Sequence, residues 1–235
     1  MKIYTEIKER EIDKDLEIFA PIEIKIHPLN SNTIVINYPG FQGSIDGYNN
    51  KYLKIGGMVI VRRIGAYVQL GNTMWEGLSY SQSVVDDLSF IIEVVIQNSI
   101  NICGSINPDI YLMGFSSGGS AVAAICSKFP QVKKILLIAP SFDAGEIAIM
   151  EGLGKFTGEV YIANGDKDEV IPYLVGHLYE QFSKKTAFKV KWSVIPNCDH
   201  YFKGSANGLI LSQAVLWAFN DYLDFPYGDE GVNLY

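Results

Sequence analysis

Leu112-Met113-Gly114-Phe115-Ser116-Ser117-Gly118-Gly119 is the stretch on which the reading of this chain turns. It reads as strand, sharp turn, helix. Upstream, Asp109-Ile110-Tyr111-Leu112-Met113 is β-rich and bounded by Pro108. Downstream, Ser120-Ala121-Val122-Ala123-Ala124-Ile125-Cys126 is small and apolar, as a helix packed close to a sheet would be. Between them, Gly114-x-Ser116-x-Gly118 suits a serine held on a tight, strained turn. Such a turn leaves no room for Cβ atoms two residues to either side of the serine. It also points backbone N–H groups and a helix N-terminus at the serine, where an oxyanion would develop. A Gly/Ser-rich strand-to-helix turn equally suits a phosphate, so the partners found elsewhere in the chain decide between the two.

The flanking chain supplies the sheet. Thr33 to Tyr38 reads as a buried strand ending at Pro39-Gly40, and Gly57 to Val61 as another. Lys133 to Ala139, Glu159 to Ala163 and Phe188 to Ile195 follow as further strands. Helices are expected over a segment capped by Ser81 or Ser83, with apolar positions from Val84 to Ile96 at helical spacing, over 171–185, and over Leu209 to Leu223. A short helix fits Ala144 to Leu153 in the connector 141–158. Residues 64–80 read as an irregular aromatic loop with Tyr67, Trp75 and Tyr80. Leu16 to Phe19 and Ile22 to Ile26 alternate as two extended segments with one wet face. The tail from Phe225 to Tyr235 is expected to fray. Strands alternating with helices from residue 33 onward imply a mostly parallel sheet covered on both faces, with an antiparallel N-terminal edge. A single domain over 1–235 is expected.

Composition narrows the function classes. The net charge of −7, with no compensating basic run, argues against a nucleic-acid backbone as partner. The first residues are charged every few positions, so no signal peptide is read there. No apolar stretch is long enough to span a bilayer, and Glu93 interrupts the one from Phe90 to Ile96. Three cysteines, Cys103, Cys126 and Cys198, fit inert reduced thiols and a cytoplasmic setting better than a disulfide framework. With three histidines and no C-x-x-C or H-E-x-x-H, no metal site is expected.

Ligands in open α/β sheets bind at the carboxyl ends of the strands. At those ends stand Pro39-Gly40-Phe41-Gln42-Gly43-Ser44, the Ser116 turn, Ser141-Phe142-Asp143, Gly165-Asp166-Lys167-Asp168-Glu169-Val170-Ile171-Pro172, and Cys198-Asp199-His200-Tyr201-Phe202. A serine hydroxyl needs a base, histidine serves near neutral pH, and a carboxylate fixes the histidine tautomer. Asp166 and Asp143 compete with Asp168 for the acid, and Asp166 and Asp168 also suit a polar turn. His27 and His177 compete with His200 for the base. Trp75, Tyr67 and Phe142 suit an acyl pocket or ordinary packing.

The order Ser116, Asp168, His200 and these loops resemble the α/β-hydrolase superfamily over residues 30–223, in particular small serine esterase/lipase-like or dienelactone-hydrolase-like members. Gly114 to Gly118 resembles the nucleophile elbow, Gly165 to Pro172 the acid loop, Cys198 to Phe202 the histidine loop, and Pro39 to Ser44 the oxyanion loop. Many members carry His where this chain has Pro39. The resemblance implies a catalytic triad of Ser116, Asp168 and His200, with the N–H groups of Phe41 and Ser117 forming the oxyanion hole. It implies cleavage of a carboxylic ester or related acyl compound, a small-molecule substrate, no metal and no cofactor. The short connector 141–158 implies a short or absent lid. Thioesterase, peptidase or acyltransferase chemistry on the same triad, and non-catalytic ligand binding on the same scaffold, stay open.

Overall fold

The computed structural model describes residues 2–71, 80–203, 205–221 and 225. Eight strands form one sheet: β1 (Tyr4–Asp13), β2 (Ile18–His27), β3 (Thr33–Tyr38), β4 (Ala66–Leu70), β5 (Asp109–Phe115), β6 (Val132–Ile138), β7 (Glu159–Gly165) and β8 (Lys189–Ile195). Their order across the sheet is β1-β2-β4-β3-β5-β6-β7-β8. β2 runs antiparallel to both β1 and β4, and every other pairing is parallel. The expected mostly parallel sheet with an antiparallel N-terminal edge is therefore present.

The helices are α1 (Lys51–Val61), α2 (Tyr80–Gln97), α3 (Ser99–Cys103), α4 (Ser117–Ile125), α5 (Glu146–Lys155), α6 (Leu174–Ser183) and α7 (Ser205–Phe219). Strand residues alternate between two cores, because successive side chains point to opposite faces. Ile34, Ile36, Leu112 and Leu137 pack with α2, α4 and α5, while Val35, Met113, Leu136 and Tyr161 pack with α1 and α7. Both faces are dry, which explains the near-continuous apolar runs of β3, β5 and β6. Register then aligns the carboxyl ends. Tyr38 pairs Gly114, Phe115 pairs Ile138 and Gly165 pairs Ile195, so the loops that follow these strands open along one edge.

Several local expectations are corrected. Gly57 to Val61 belongs to helix α1. Tyr52, Ile55 and Val59 are its buried stripe, and the Gly56-Gly57 pair with its β-branched neighbours had masked the helical period. The stretch read as an irregular loop contains β4, buried along its whole length, with Tyr67 packed inside rather than lining a site. Trp75 lies outside the described residues. α2 begins at Tyr80, so neither Ser81 nor Ser83 is its N-cap, and Ser83 is buried inside the helix. At the N-terminus, β1 was missed, Leu16-Glu17 form a turn, and Ile18 to His27 is one strand. Phe225 is buried, its ring 5.0 Å from that of Trp217, so the chain is anchored there. The expected fraying of 226–235 falls outside the described residues.

Candidate active site

Ser116 follows β5 and precedes α4. Its backbone adopts φ 52° and ψ −117°, a left-handed conformation that costs about 1–3 kcal/mol for a non-glycine residue. The flanking glycines make this turn possible. A Cβ on Gly118 would stand 2.3 Å from the carbonyl oxygens of Tyr38 and Pro39, and one on Gly114 would stand 2.4 Å from the Gly118 carbonyl. The Ser116 N–H donates to Ile138 O at 2.9 Å, and the Ser116 carbonyl accepts from the N–H groups of Ser120 and Ser141 at 3.1 and 3.2 Å. The backbone is thus pinned to β6 and α4. Ser116 occupies the N-cap position of α4, yet its hydroxyl makes no capping bond to the helix, although serine there ordinarily does.

Asp168 sits on the loop after β7 and is buried. One carboxylate oxygen accepts from the N–H groups of Val170 and Ile171 at 2.9 and 2.7 Å. The other lies 2.8 Å from His200 Nδ1. Two backbone donors fix the carboxylate, and the carboxylate fixes the ring: Nδ1 carries the proton toward Asp168, leaving Nε2 as the basic nitrogen. His200 is 4% exposed, and its ring stands 5.1 Å from Phe115 and 5.2 Å from Tyr201. His200 and Ser116 both line one cavity of about 470 Å³, together with Gly40, Phe41 and Ser44 of the loop after β3.

The competing candidates go elsewhere. Asp166 accepts from the Cys198 N–H at 3.3 Å and so ties the acid loop to the histidine loop. Asp143 accepts from Ser141 Oγ at 2.8 Å. His27 is buried in β2 with Nε2 2.7 Å from Gln69 Oε1, and His177 lies on α6 beside Glu180 at 3.2 Å. Phe142 packs on Tyr179 with ring centroids 5.6 Å apart. The three cysteines are buried and unpaired, and burial beside three aspartates pushes the Cys198 thiol up to about 12. Among the described residues, no group of three His, Cys, Asp or Glu side chains could hold a metal ion, and no helix is long and apolar enough to cross a membrane. The connector after β6 carries α5, which packs against α4 so closely that a Cβ on Gly152 would stand 2.1 Å from Ala123 O; no described α5 residue lines the Ser116 cavity.

Sequence reasoning missed the support beneath the loop after β3. Tyr52 is fully buried and its hydroxyl accepts the Gly40 N–H; Tyr67 Oη donates to Tyr52 O at 3.2 Å. Gln69 Nε2 donates to Ile45 O at 2.9 Å, and Lys25 pairs with Asp46 at 2.5 Å. The spacing Tyr52, Ile55, Val59 was the signal that could have found this helix and its tyrosine. Phe41 lines the cavity, and Ser117 is the first residue of α4, directly after Ser116.

No protein-family model and no curated protein sequence matches the chain. Solved structures do. The esterase domain of a Rhodothermus marinus protein superposes with TM-score 0.67 at 14% identity, covering 94% of this chain and 99% of that one. Est1E from Butyrivibrio proteoclasticus, bound to ferulic acid, gives 0.66 at 15%, covering 84% and 94%. An alpha-beta serine hydrolase homologue from Coxiella burnetii gives 0.63 at 18%, covering 89% and 96%. Strand order, the strained serine turn and these likenesses together establish that the chain has the α/β-hydrolase fold.

Proposed function

We propose that the chain is a serine hydrolase that cleaves a carboxylic ester or related acyl compound through an acyl-enzyme on Ser116. The observation that carries this reading is the fixed Asp168–His200 pair, 2.8 Å apart, beside a cavity that His200 shares with the strained Ser116. His200 Nε2 takes the Ser116 hydroxyl proton as Oγ attacks the acyl carbonyl carbon. The resulting oxyanion sits between the N–H groups of Phe41 and Ser117, at the positive end of α4. Collapse breaks the bond to the leaving group, and His200 returns the proton to the departing oxygen. Water, deprotonated by His200, then attacks the acyl-enzyme, and Ser116 leaves with its proton restored. Asp168 stabilises the imidazolium in both halves without taking its proton. The residues named supply every proton transfer in this scheme. The shared fold of an esterase domain from Rhodothermus marinus accords with it.

The test is a matched set of substrates with one acyl group carried as an oxygen ester, a thioester and an anilide. The expected result is a burst of leaving group stoichiometric with enzyme, fastest with the oxygen ester. A burst confined to the thioester or the anilide would reassign the activity to a thioesterase or a peptidase. Turnover that appears only with an added alcohol or amine would make it an acyltransferase. Folded protein without turnover of any of the three would favour non-catalytic ligand binding.

A further inference from the structure

The chain carries a net charge of −7, yet the mouth of its candidate site is cationic. The Ser116 cavity adjoins a second cavity of about 650 Å³, and the two share Tyr48, Lys51 and Tyr201 in their walls. Among the described lining residues of both there is no aspartate or glutamate, and the lysines are Lys51, Lys54 and Lys203. The carboxylates on the surrounding loops are committed: Asp46 to Lys25 at 2.5 Å, Asp168 to His200 at 2.8 Å, and Asp199 to Lys203 at 3.9 Å.

Lys51 is the member placed at the boundary. Its ammonium lies 3.9 Å from the centroid of the Phe115 ring and 5.0 Å from that of Tyr52. Phe115 in turn stands against His200. Lys51 and the candidate base therefore both contact the Phe115 ring, and both line the cavity that holds Ser116. Among the described residues Lys51 has no carboxylate partner; the aromatic faces give it weak compensation. It is also the first residue of α1, where a cation opposes the helix dipole. Half-burial without a partner at the positive end of a helix costs stability, and burial lowers its ammonium to about 8. An anionic group bound between the two cavities would relieve both penalties.

We propose that Lys51, supported by Lys54 and Lys203, is a specificity-determining residue that selects acyl substrates carrying a carboxylate several atoms from the scissile bond. This rests on the hydrolase reading of the Ser116 site. The carboxylate would occupy the second cavity while the ester carbonyl sits at Ser116.

The test compares kcat/KM for two matched pairs of esters. The acyl-side pair is 4-nitrophenyl hydrogen adipate against 4-nitrophenyl hexanoate. The leaving-group pair is 4-acetoxybenzoate against its methyl ester. The expected result is an anionic-over-neutral preference in at least one pair, cut about tenfold or more in Lys51→Met and restored in Lys51→Arg. Lys54→Gln and Lys203→Gln should each lower it about two- to threefold, as partly screened charges do. Both members of a pair use the same Ser116 and His200, and their intrinsic reactivities are the same in every variant, so the change in their ratio between wild type and variant isolates the charge facing the carboxylate. The titratable side chains lining the two cavities around Lys51 are Lys54 on its own helix, Tyr48, Tyr52, His200, Tyr201 and Lys203, with no carboxylate among them; the carboxylates on the adjoining loops, Asp46 beside the start of α1 and Asp199, are paired with Lys25 and Lys203. The ratio should therefore decline as pH rises through about 8, where free Lys51 loses its proton. Labelling of wild type and Lys51→Met by a fluorophosphonate reports separately on Ser116. Labelling of both proteins with a ratio that does not change, or that Lys51→Arg does not restore, would overturn the role of Lys51 alone. Failure to label folded wild type would overturn the hydrolase reading and this inference with it.

Discussion

The carboxyl edge of the parallel strands and the antiparallel hairpin β1–β2 belong to one sheet but are built on opposite terms. At the carboxyl edge the backbone leaves regular geometry repeatedly: Gln42, Ser116, Ala139, Asn197 and Phe202 all have positive φ. A Cβ added to Gly118 or Gly165 there would stand 2.3 or 2.1 Å from backbone oxygens of other segments, closer than any side chain tolerates. The hairpin has ten-residue strands, regular pairing with one register shift between Glu11 and Asp13, and a reversed pattern in which Ile7 is 66% exposed while Arg10 is buried. Arg10 Nε meets Asp87 of α2 at 2.7 Å, an ion pair that docks the hairpin on the helix layer. Positive φ recurs in the loops where chemistry is proposed, whereas in the hairpin it is confined to Glu17 in the turn, and ordinary pairing holds the far edge. Substitutions of the polar side chains at the two places should therefore differ in kind, by activity at one and by stability at the other, whereas the glycines that permit the serine turn should cost stability.

The largest expected effect is at Ser116. Ser116→Ala should lower ester turnover by at least about 10³-fold while leaving the thermal midpoint near wild type. Asp168→Asn should lose about 10²–10⁴-fold, because the amide presents the wrong group to Nδ1. A stability loss without an activity loss in either variant would break the contrast. Gly118→Ala follows, with a Cβ forced 2.3 Å from two carbonyl oxygens; about 3 kcal/mol or more of destabilisation is expected by chemical unfolding.

Neighbouring glycines on α1 sharpen the point at smaller scale. A Cβ on Gly56 would stand 2.5 Å from the Tyr67 ring, whereas one on Gly57 meets nothing within 4 Å. Gly56→Ala should destabilise, and Gly57→Ala should stabilise by about 0.5–1 kcal/mol through helix propensity. The opposite order would show that α1 is not seated on β4 as described.

The smallest effect concerns the hairpin. Burial pushes the Asp87 carboxyl up to about 6 against the pull of Arg10. Its folded pKa lies above its unfolded one, so between about pH 4 and 6 the folded state holds more protons than the unfolded state. Stability must then fall as pH rises through that window. Wild type should lose stability relative to Asp87→Asn from pH 4 to pH 6, with a flat difference above. A rise in that difference would mean that attraction to Arg10 outweighs burial.

Legibility in the sequence followed the same division. The glycines around Ser116, the buried runs of β3 and β5 to β7, and the order Ser116, Asp168, His200 were readable, because steric need and parallel pairing leave strong patterns. β1 was not, because its apolar Ile7 faces water while Glu6, Lys8 and Arg10 lie on the more covered face. β4 was obscured by Gln69, a polar residue buried in a strand and held by His27 and Ile45. α1 was obscured by its paired glycines, of which Gly56 admits the Tyr67 ring. Those last two errors hid Lys51 and Tyr52, so the support of the loop after β3 and the charge at the cavity mouth emerged only with the structure.

The central claim is that Ser116 is an activated nucleophile. The most direct measurement is fluorophosphonate labelling of folded protein, with the adduct located by mass spectrometry. The account predicts a single adduct on Ser116 that is absent in Ser116→Ala and slowed at least about 10²-fold in His200→Ala. No adduct on folded wild type, or labelling indifferent to His200, would contradict it.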